Sequence, residues 1–79
     1  MGYDHYEAAR ALADRLSAEG QGDWAEKLRK VMAEGATGTE IFLGLRCQLR
    51  QLKSCGVPLS DGTSGQVDDL LKELDSALQ

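Results

Sequence analysis

The 79-residue chain carries 9 Lys and Arg residues against 13 Asp and Glu residues, which gives a formal net charge of −4. A chain of this length has room for one small hydrophobic core, so the sequence predicts a single helical domain over residues 1–79. It is too short for a TIM barrel, and this length excludes most enzymes that need a separate cofactor domain.

Two helices are predicted in the first half of the chain. The first covers about residues 4–18 and ends at the glycines that begin with Gly20. Its apolar residues recur at helical spacing: Tyr6, Ala9, Leu12, Ala13 and Leu16. The second covers about residues 23–34, with Asp23 as the expected N-cap and Gly35 at its end. Its apolar face consists of Trp24, Leu28, Val31 and Met32.

The third predicted helix begins with the strongest local signal in the sequence. Thr37 is followed three residues later by Glu40, the spacing of a capping box. We expect this helix to reach Ser54 or Cys55, because Gly56 and Pro58 follow. Its main apolar face consists of Ile41, Phe42, Leu45, Leu49 and Leu52. A second apolar strip, formed by Leu43 and Cys47, lies on nearly the opposite side of the helix.

The fourth predicted helix follows a loop over residues 56–64. Thr63 and Gln66 have the spacing of a second capping box. The apolar residues beyond it again recur at helical spacing: Val67, Leu70, Leu71, Leu74 and Leu78. No segment alternates strictly between apolar and polar residues, so no strand competes. The sequence therefore predicts an all-α fold, a compact bundle of about four short helices whose neighbours are roughly antiparallel.

Charge is distributed unevenly between the third and fourth helices. Residues 36–58 carry three basic residues and one acidic residue, whereas residues 59–79 carry one basic residue and five acidic residues. The simplest interpretation is that the basic side chains of the third helix face acidic side chains of the fourth. Exposed pairs of this kind contribute only about 0–1 kcal/mol each, but they help to select neighbouring helices.

The sequence provides no set of residues typical of a catalytic or metal site. The only histidine, His5, lies near the start of the first helix and is expected to be solvated. Cys55 falls at a helix C-terminus, where the helix dipole disfavours a thiolate. Asp68 and Asp69 are adjacent, so they point about 100° apart around a helix and do not share a site. We therefore expect no enzymatic activity, no metal and no cofactor.

The cysteines and the amino-terminal residues indicate a cytoplasmic protein. Cys47 and Cys55 are eight residues apart, which on one helix separates their Cα atoms by about 12 Å, too far for a disulfide. The amino-terminal residues lack the basic and then apolar order of a secretory signal. No run of apolar residues approaches the roughly 20 residues of a membrane span, so no membrane partner is expected.

Binding to another protein is the function that these features favour. The carboxylates of the fourth helix form one candidate surface: Asp68, Asp69, Glu73 and Asp75. The apolar strip of the third helix is another, with Leu43 and Cys47 flanked by Arg46 and Arg50. There Gly44 would permit the backbone of a partner, or of a second copy in a homodimer, to approach closely.

The small size and acidity of the chain are similar in kind to those of bacterial immunity and antitoxin proteins. This resemblance concerns the class of protein only, since no motif of a particular family is present. It implies inhibition of a basic partner protein, attracted by the acidic surface.

The alternative function is a nucleic-acid-binding regulator. Residues 24–55 have the helix, turn and helix order of a helix-turn-helix. However, the early residues of its second helix, Ile41, Phe42 and Leu43, carry no hydrogen-bonding groups to contact base edges. Only three basic residues follow, in a chain of negative net charge, so nucleic acid is not the favoured partner and binding would require a dimer.

Overall fold

The computed structural model describes residues 2–79, which form four α-helices joined by short loops. Helix α1 covers His5–Ala18, α2 covers Gly22–Glu34, α3 covers Gly38–Ser54 and α4 covers Asp61–Ala77. No strand occurs in the described residues, so the all-α fold predicted from the sequence is confirmed. None of these four helices combines the length and apolar composition that crossing a bilayer requires.

Helices α1 and α2 begin in different ways. The Asp4 side chain caps α1 by accepting a hydrogen bond from the backbone N–H of Glu7, at 3.0 Å. Helix α2 starts after Gln21, whose side chain makes no capping hydrogen bond, and Asp23 lies inside the first turn. The expectation that Asp23 is the N-cap was therefore wrong. Its carboxylate is still placed at the positive end of the helix dipole.

The capping box of α3 is present with one change of partner. Thr37 accepts a hydrogen bond from the backbone N–H of Glu40, at 3.2 Å. The Glu40 carboxylate accepts from the backbone N–H of Ala36, at 3.2 Å, rather than from that of Thr37. At the other end Gly56 adopts φ +65°, a left-handed conformation that favours glycine, so the helix ends as predicted.

Helix α4 begins earlier than the sequence predicted. Ser60 is the N-cap, and its hydroxyl accepts a hydrogen bond from the backbone N–H of Thr63 at 3.3 Å. Thr63 is fully buried, and its hydroxyl contacts Glu19 and Arg15 of α1. The proposed capping box of Thr63 and Gln66 was therefore wrong, because Ser60 is the N-cap and the Thr63 hydroxyl bonds to Arg15, Glu19 and Ser60.

The four helices form a ring in which each helix packs against two others, in the order α1, α2, α3, α4 and back to α1. Helices α1 and α4 are antiparallel, since the start of α1 meets the end of α4 and Arg15, near the end of α1, bonds to Thr63. Helices α2 and α3 approach closely at Gly44, where an added Cβ would lie 2.7 Å from the Val31 side chain. The antiparallel arrangement of neighbours agrees with the prediction.

The hydrophobic core lies inside this ring and receives side chains from every helix. Twelve apolar residues are buried: Ala9, Leu12, Ala13, Leu16, Ala25, Leu28, Leu45, Leu49, Leu52, Val67, Leu70 and Leu74. Eight of the twelve are leucines with less than 2% of their surface exposed. Full burial of one such side chain contributes about 1.5–3 kcal/mol, so this leucine core is the main source of stability.

Candidate functional site

The acidic side chains of α4 lie on two different sides of the helix. Asp68 and Asp75, seven residues apart, contact basic side chains of α3. Asp69 and Glu73 lie toward the start of α1, where both raise the pKa of Tyr3. The four carboxylates that the sequence suggested as one recognition surface are therefore divided into an α3-facing pair and an α1-facing pair.

The α3-facing pair is engaged in ion pairs within the chain. The Asp75 carboxylate lies 3.4 Å from Arg46 Nη1 and 3.3 Å from Arg50 Nη2. Asp68 lies 2.5 Å from Lys53 Nζ. This is the pairing of a basic third helix with an acidic fourth helix that the charge distribution predicted. As a result, both carboxylates already have cationic partners, and their charge toward an external partner is offset.

The α1-facing pair has a different environment. Within residues 2–79, neither Asp69 nor Glu73 forms an ion pair. Burial raises the pKa of the Tyr3 phenol, and the negative charges of Glu73 and Asp69 raise it further. The Tyr3 side chain nevertheless remains accessible, with 42% of the residue exposed. We call this group of Tyr3, Asp69 and Glu73 the acidic edge.

A hollow of about 220 Å³ adjoins the acidic edge between α1 and α4. Five residues line it: Tyr3, Ala8, Ala11, Gln66 and Asp69. The Gln66 side-chain oxygen is buried, and it has no hydrogen-bond partner among the described residues. The small alanine side chains of α1 leave this space open, while α4 supplies its polar side.

A second, larger hollow of about 430 Å³ lies between α1 and α2. It is lined by Arg10, Asp14, Arg29, Met32 and Ala33. Its arginines are engaged, since Arg29 lies 2.9 Å from Asp14 and Arg10 lies 3.3 Å from Glu7. Size alone therefore does not make it the better candidate, because its polar groups already have partners.

The second apolar strip of α3 is not covered by the rest of the chain. Leu43 is 43% exposed and Cys47 is an exposed free thiol, with the Gln51 amide nitrogen 3.5 Å from its sulfur. Gly44 does permit a close approach, but to Val31 of α2 within the same chain. The expectation that Gly44 serves the backbone of a partner was therefore wrong.

The second helix of the helix-turn-helix interpretation, α3, directs two of its early apolar residues and its basic residues toward the rest of the bundle. Ile41 and Phe42, at the start of α3, are half-buried and pack against the core. Arg46, Arg50 and Lys53 point toward α4, where each of them contacts a carboxylate. The basic charge of α3 is thus directed at a neighbouring helix.

An aromatic cluster at one end of the bundle was missed in the sequence. The His5 ring lies between Tyr3 and Phe42, with centroids 5.0 Å and 4.5 Å away, and Tyr6 packs against Phe42 at 5.7 Å. His5 Nε2 is 3.3 Å from the backbone oxygen of Glu73. The expectation of a solvated His5 was therefore wrong. The sequence feature that could have predicted this cluster is that three of its residues occur within Tyr3–Tyr6.

The opposite end of the bundle carries a polar network that joins Glu19 and Ser60 to the buried Thr63. The Glu19 carboxylate accepts hydrogen bonds from the backbone N–H of Ser60 at 2.8 Å, from the Ser60 hydroxyl at 3.0 Å and from the Thr63 hydroxyl. These bonds, with the nearby charge of Arg15, lower the pKa of Glu19. They stabilise the carboxylate form, so the network ties the end of α1 to the start of α4.

Among residues 2–79, no group of three His, Cys, Asp or Glu side chains converges in a way that would hold a metal ion. In the described residues, the buried side-chain oxygens without a hydrogen-bond partner are those of Gln66, beside the acidic edge, and of Gln48 on α3. Comparison of the chain with models of protein families, with curated protein sequences and with solved structures finds no match.

Proposed function

We propose that this chain is a small, non-catalytic protein-interaction module that uses the acidic edge to bind a basic partner protein. The observation that carries the proposal is that Asp69 and Glu73 are without ion pairs in the described residues, beside a half-exposed Tyr3. Unpaired carboxylates around an accessible aromatic ring provide electrostatic attraction and a contact residue of the kind enriched at interfaces.

The finer form of the proposal is an inhibitor of the immunity or antitoxin kind that neutralises its partner in the cytoplasm. The negative net charge supports attraction to a basic protein. Cys47 and Cys55 are both exposed free thiols, and unpaired surface thiols are compatible with a reducing compartment.

The test is capture of partners by the tagged full-length chain from lysate of its own source cells, with and without nuclease. The Asp69→Lys/Glu73→Lys variant reverses the acidic edge. The matched control, Glu26→Lys/Glu34→Lys, changes two exposed carboxylates of α2. Both variants raise the formal net charge by four, from −4 to zero, so they are matched in net charge and change it on different helices.

We expect a basic protein to be captured in near-stoichiometric amount by the wild type and by the α2 control, with or without nuclease. The reversed acidic edge should lose it, because two attractive contacts become repulsive. Equal capture by both variants would contradict the proposal. Loss of all partners on nuclease treatment would favour instead the nucleic-acid-binding regulator built on residues 24–55.

Self-association is a second proposal, supported by the exposed strip of Leu43 and Cys47. A second copy that packs α3 against α3 would bury this strip. Sedimentation equilibrium in reducing buffer measures the mass directly. A dimer that Leu43→Glu converts to a monomer would support the proposal, and a monomeric wild type at high protein concentration would contradict it.

A further inference from the structure

The hollow between α1 and α4 has the size of a pocket for one side chain. Its volume of about 220 Å³ is below the roughly 300–1,000 Å³ typical of sites for drug-sized ligands. It opens beside the acidic edge, so a partner attracted by Asp69 and Glu73 would place a side chain at its mouth. The chemistry of its lining indicates which side chain that is.

The polar side of the hollow carries a buried hydrogen-bond acceptor, the side-chain oxygen of Gln66. Gln66 lines it, and the Gln66 Oε1 atom is buried without a donor in the described part of the chain. Buried acceptors are nearly always hydrogen-bonded in folded proteins, and an unmet one is unfavourable. Rotation of the amide about its last torsion would turn this oxygen toward an N–H group that enters the hollow.

The remaining walls favour a planar cation. Asp69 contributes a carboxylate, and Tyr3 contributes a ring whose phenol is close enough to Asp69 and Glu73 for their charges to raise its pKa. Ala8 and Ala11 contribute a small apolar surface on α1. A guanidinium group combines what these walls require, because it pairs with carboxylates, stacks on aromatic rings and has five N–H donors.

We propose that this hollow receives an arginine side chain of the basic partner. The guanidinium ion-pairs with Asp69, stacks on Tyr3 and donates one N–H to the Gln66 oxygen, while its methylenes pack on Ala8 and Ala11. This inference rests on the proposed function, since it names the residue type that the acidic edge recognises.

The experiment is an amide chemical-shift titration of the ¹⁵N-labelled full-length chain with the peptide acetyl-Gly-Arg-Gly-amide. The same peptide with citrulline in place of arginine is the neutral control of equal shape. We expect saturable shifts at Ala8, Ala11, Gln66 and Asp69 with the arginine peptide, in the millimolar range. The citrulline peptide should bind at least about fivefold more weakly, because the ion pair is lost.

Variants locate the site and separate it from general attraction. Asp69→Asn and Gln66→Met should each weaken the arginine peptide several-fold. Asp68→Asn is the matched control, because it removes the same charge one residue away on the side paired with Lys53. It should leave the affinity unchanged apart from the small effect of net charge.

Two results would overturn the proposal: no saturable shifts in the hollow, or equal weakening by Asp69→Asn and Asp68→Asn. Either one is distinguishable from failure of the proposed function. If only the arginine site is wrong, the Asp69→Lys/Glu73→Lys variant will still lose the captured partner. The acidic edge then remains the binding surface, without an arginine pocket. If the arginine peptide binds in the hollow but no partner protein is captured, the arginine site is retained and the proposed interaction function is overturned.

Discussion

Single residues hold the two ends of the bundle by different means. The aromatic end depends on ring packing around His5, whereas the other end depends on one carboxylate that three donors share. That carboxylate, Glu19, connects residues more than 40 positions apart in the sequence. It is therefore the residue through which acid should act most directly on the fold.

The pH dependence of stability should decrease when Glu19 is replaced by Gln. Because the folded-state pKa of Glu19 is lowered, its contribution is present above the ordinary value of 4.5 and is lost as the pH falls through the lowered pKa. The wild type should therefore lose more free energy of unfolding than Glu19→Gln between pH 5 and strongly acidic pH. Urea unfolding at several pH values, followed by Trp24 fluorescence, measures the difference.

Glu34→Gln serves as the control for this experiment, because Glu34 is exposed and makes no ion pair or side-chain hydrogen bond in the described residues. It should retain the acid dependence of the wild type. If Glu19→Gln retains it too, the hydrogen bonds of Glu19 do not stabilise its charged form.

Gly44 decides how closely α2 and α3 can pack. An Ala side chain at this position would place Cβ 2.7 Å from Val31 Cγ1, and Val31 is stiff about χ1 because it is β-branched. Overpacking costs about 1–3 kcal/mol, whereas replacing Gly by Ala inside a helix gains about 1 kcal/mol. We expect the clash to dominate, so that Gly44→Ala lowers the free energy of unfolding by about 1 kcal/mol.

Gly65→Ala is the matched control, since Gly65 lies inside α4 and an added Cβ meets nothing within 4 Å. It should raise the free energy of unfolding by about 0.5–1 kcal/mol. In a Val31→Ala background, Gly44→Ala should become stabilising as well. Chemical denaturation of Gly44→Ala, Gly65→Ala, Val31→Ala and the double variant Val31→Ala/Gly44→Ala measures these free energies. A stabilising Gly44→Ala in the wild-type background would contradict the close approach of α2 and α3.

The positions of the helices are the feature on which the sequence-based predictions and the structure agree best. Their apolar periodicity and the Thr37–Glu40 spacing are local properties, so both could be predicted from the sequence. The start of α4 could not, because Thr63 is bonded to Arg15 and Glu19, 48 and 44 residues away. Local spacing carries no information about such partners.

The candidate site shows the same division between local and tertiary information. The 100° angle between adjacent residues separates Asp68 from Asp69 in any helix. Which of the two faces α3 and which faces α1 depends on the order of helices around the ring, and sequence patterns do not specify it. The role of Gln66 depends likewise on Ala8 and Ala11 of another helix.

The pairing of α3 with α4 should be measurable at Lys53 and Asp68. Their side chains are 53% and 56% exposed, so a double-mutant cycle with Lys53→Glu and Asp68→Lys should give a coupling of about 0.2–1 kcal/mol. The coupling should decrease in 1 M salt, where charges are screened within about 3 Å. A control cycle with Lys30, on α2, and Asp68 should be additive, and equal coupling in both cycles would contradict the contact.

Taken as a whole, the molecule is a ring of four helices around one shared core, and this arrangement predicts cooperative unfolding. No helix can leave the ring without exposing leucines of its two neighbours, so a partly unfolded state with one helix detached is unfavourable. Trp24 fluorescence, which reports on α2, and far-UV circular dichroism, which reports on all four helices, should therefore give coincident urea transitions.

Leu49→Ala tests this cooperativity, because Leu49 lies in the core contributed by α3 and is fully buried. A buried Leu→Ala change costs about 2–5 kcal/mol, a large share of the roughly 4–12 kcal/mol that a chain of 79 residues is expected to have. The free energy of unfolding obtained from each of the two signals should fall by this amount, although Trp24 is on another helix. Leu43→Ala, on the exposed side of the same helix, should lower the free energy of unfolding by less than about 1 kcal/mol. A fluorescence transition that precedes the circular dichroism transition in the Leu49 variant would show that α2 unfolds separately, because a core shared by all four helices requires the two signals to change together.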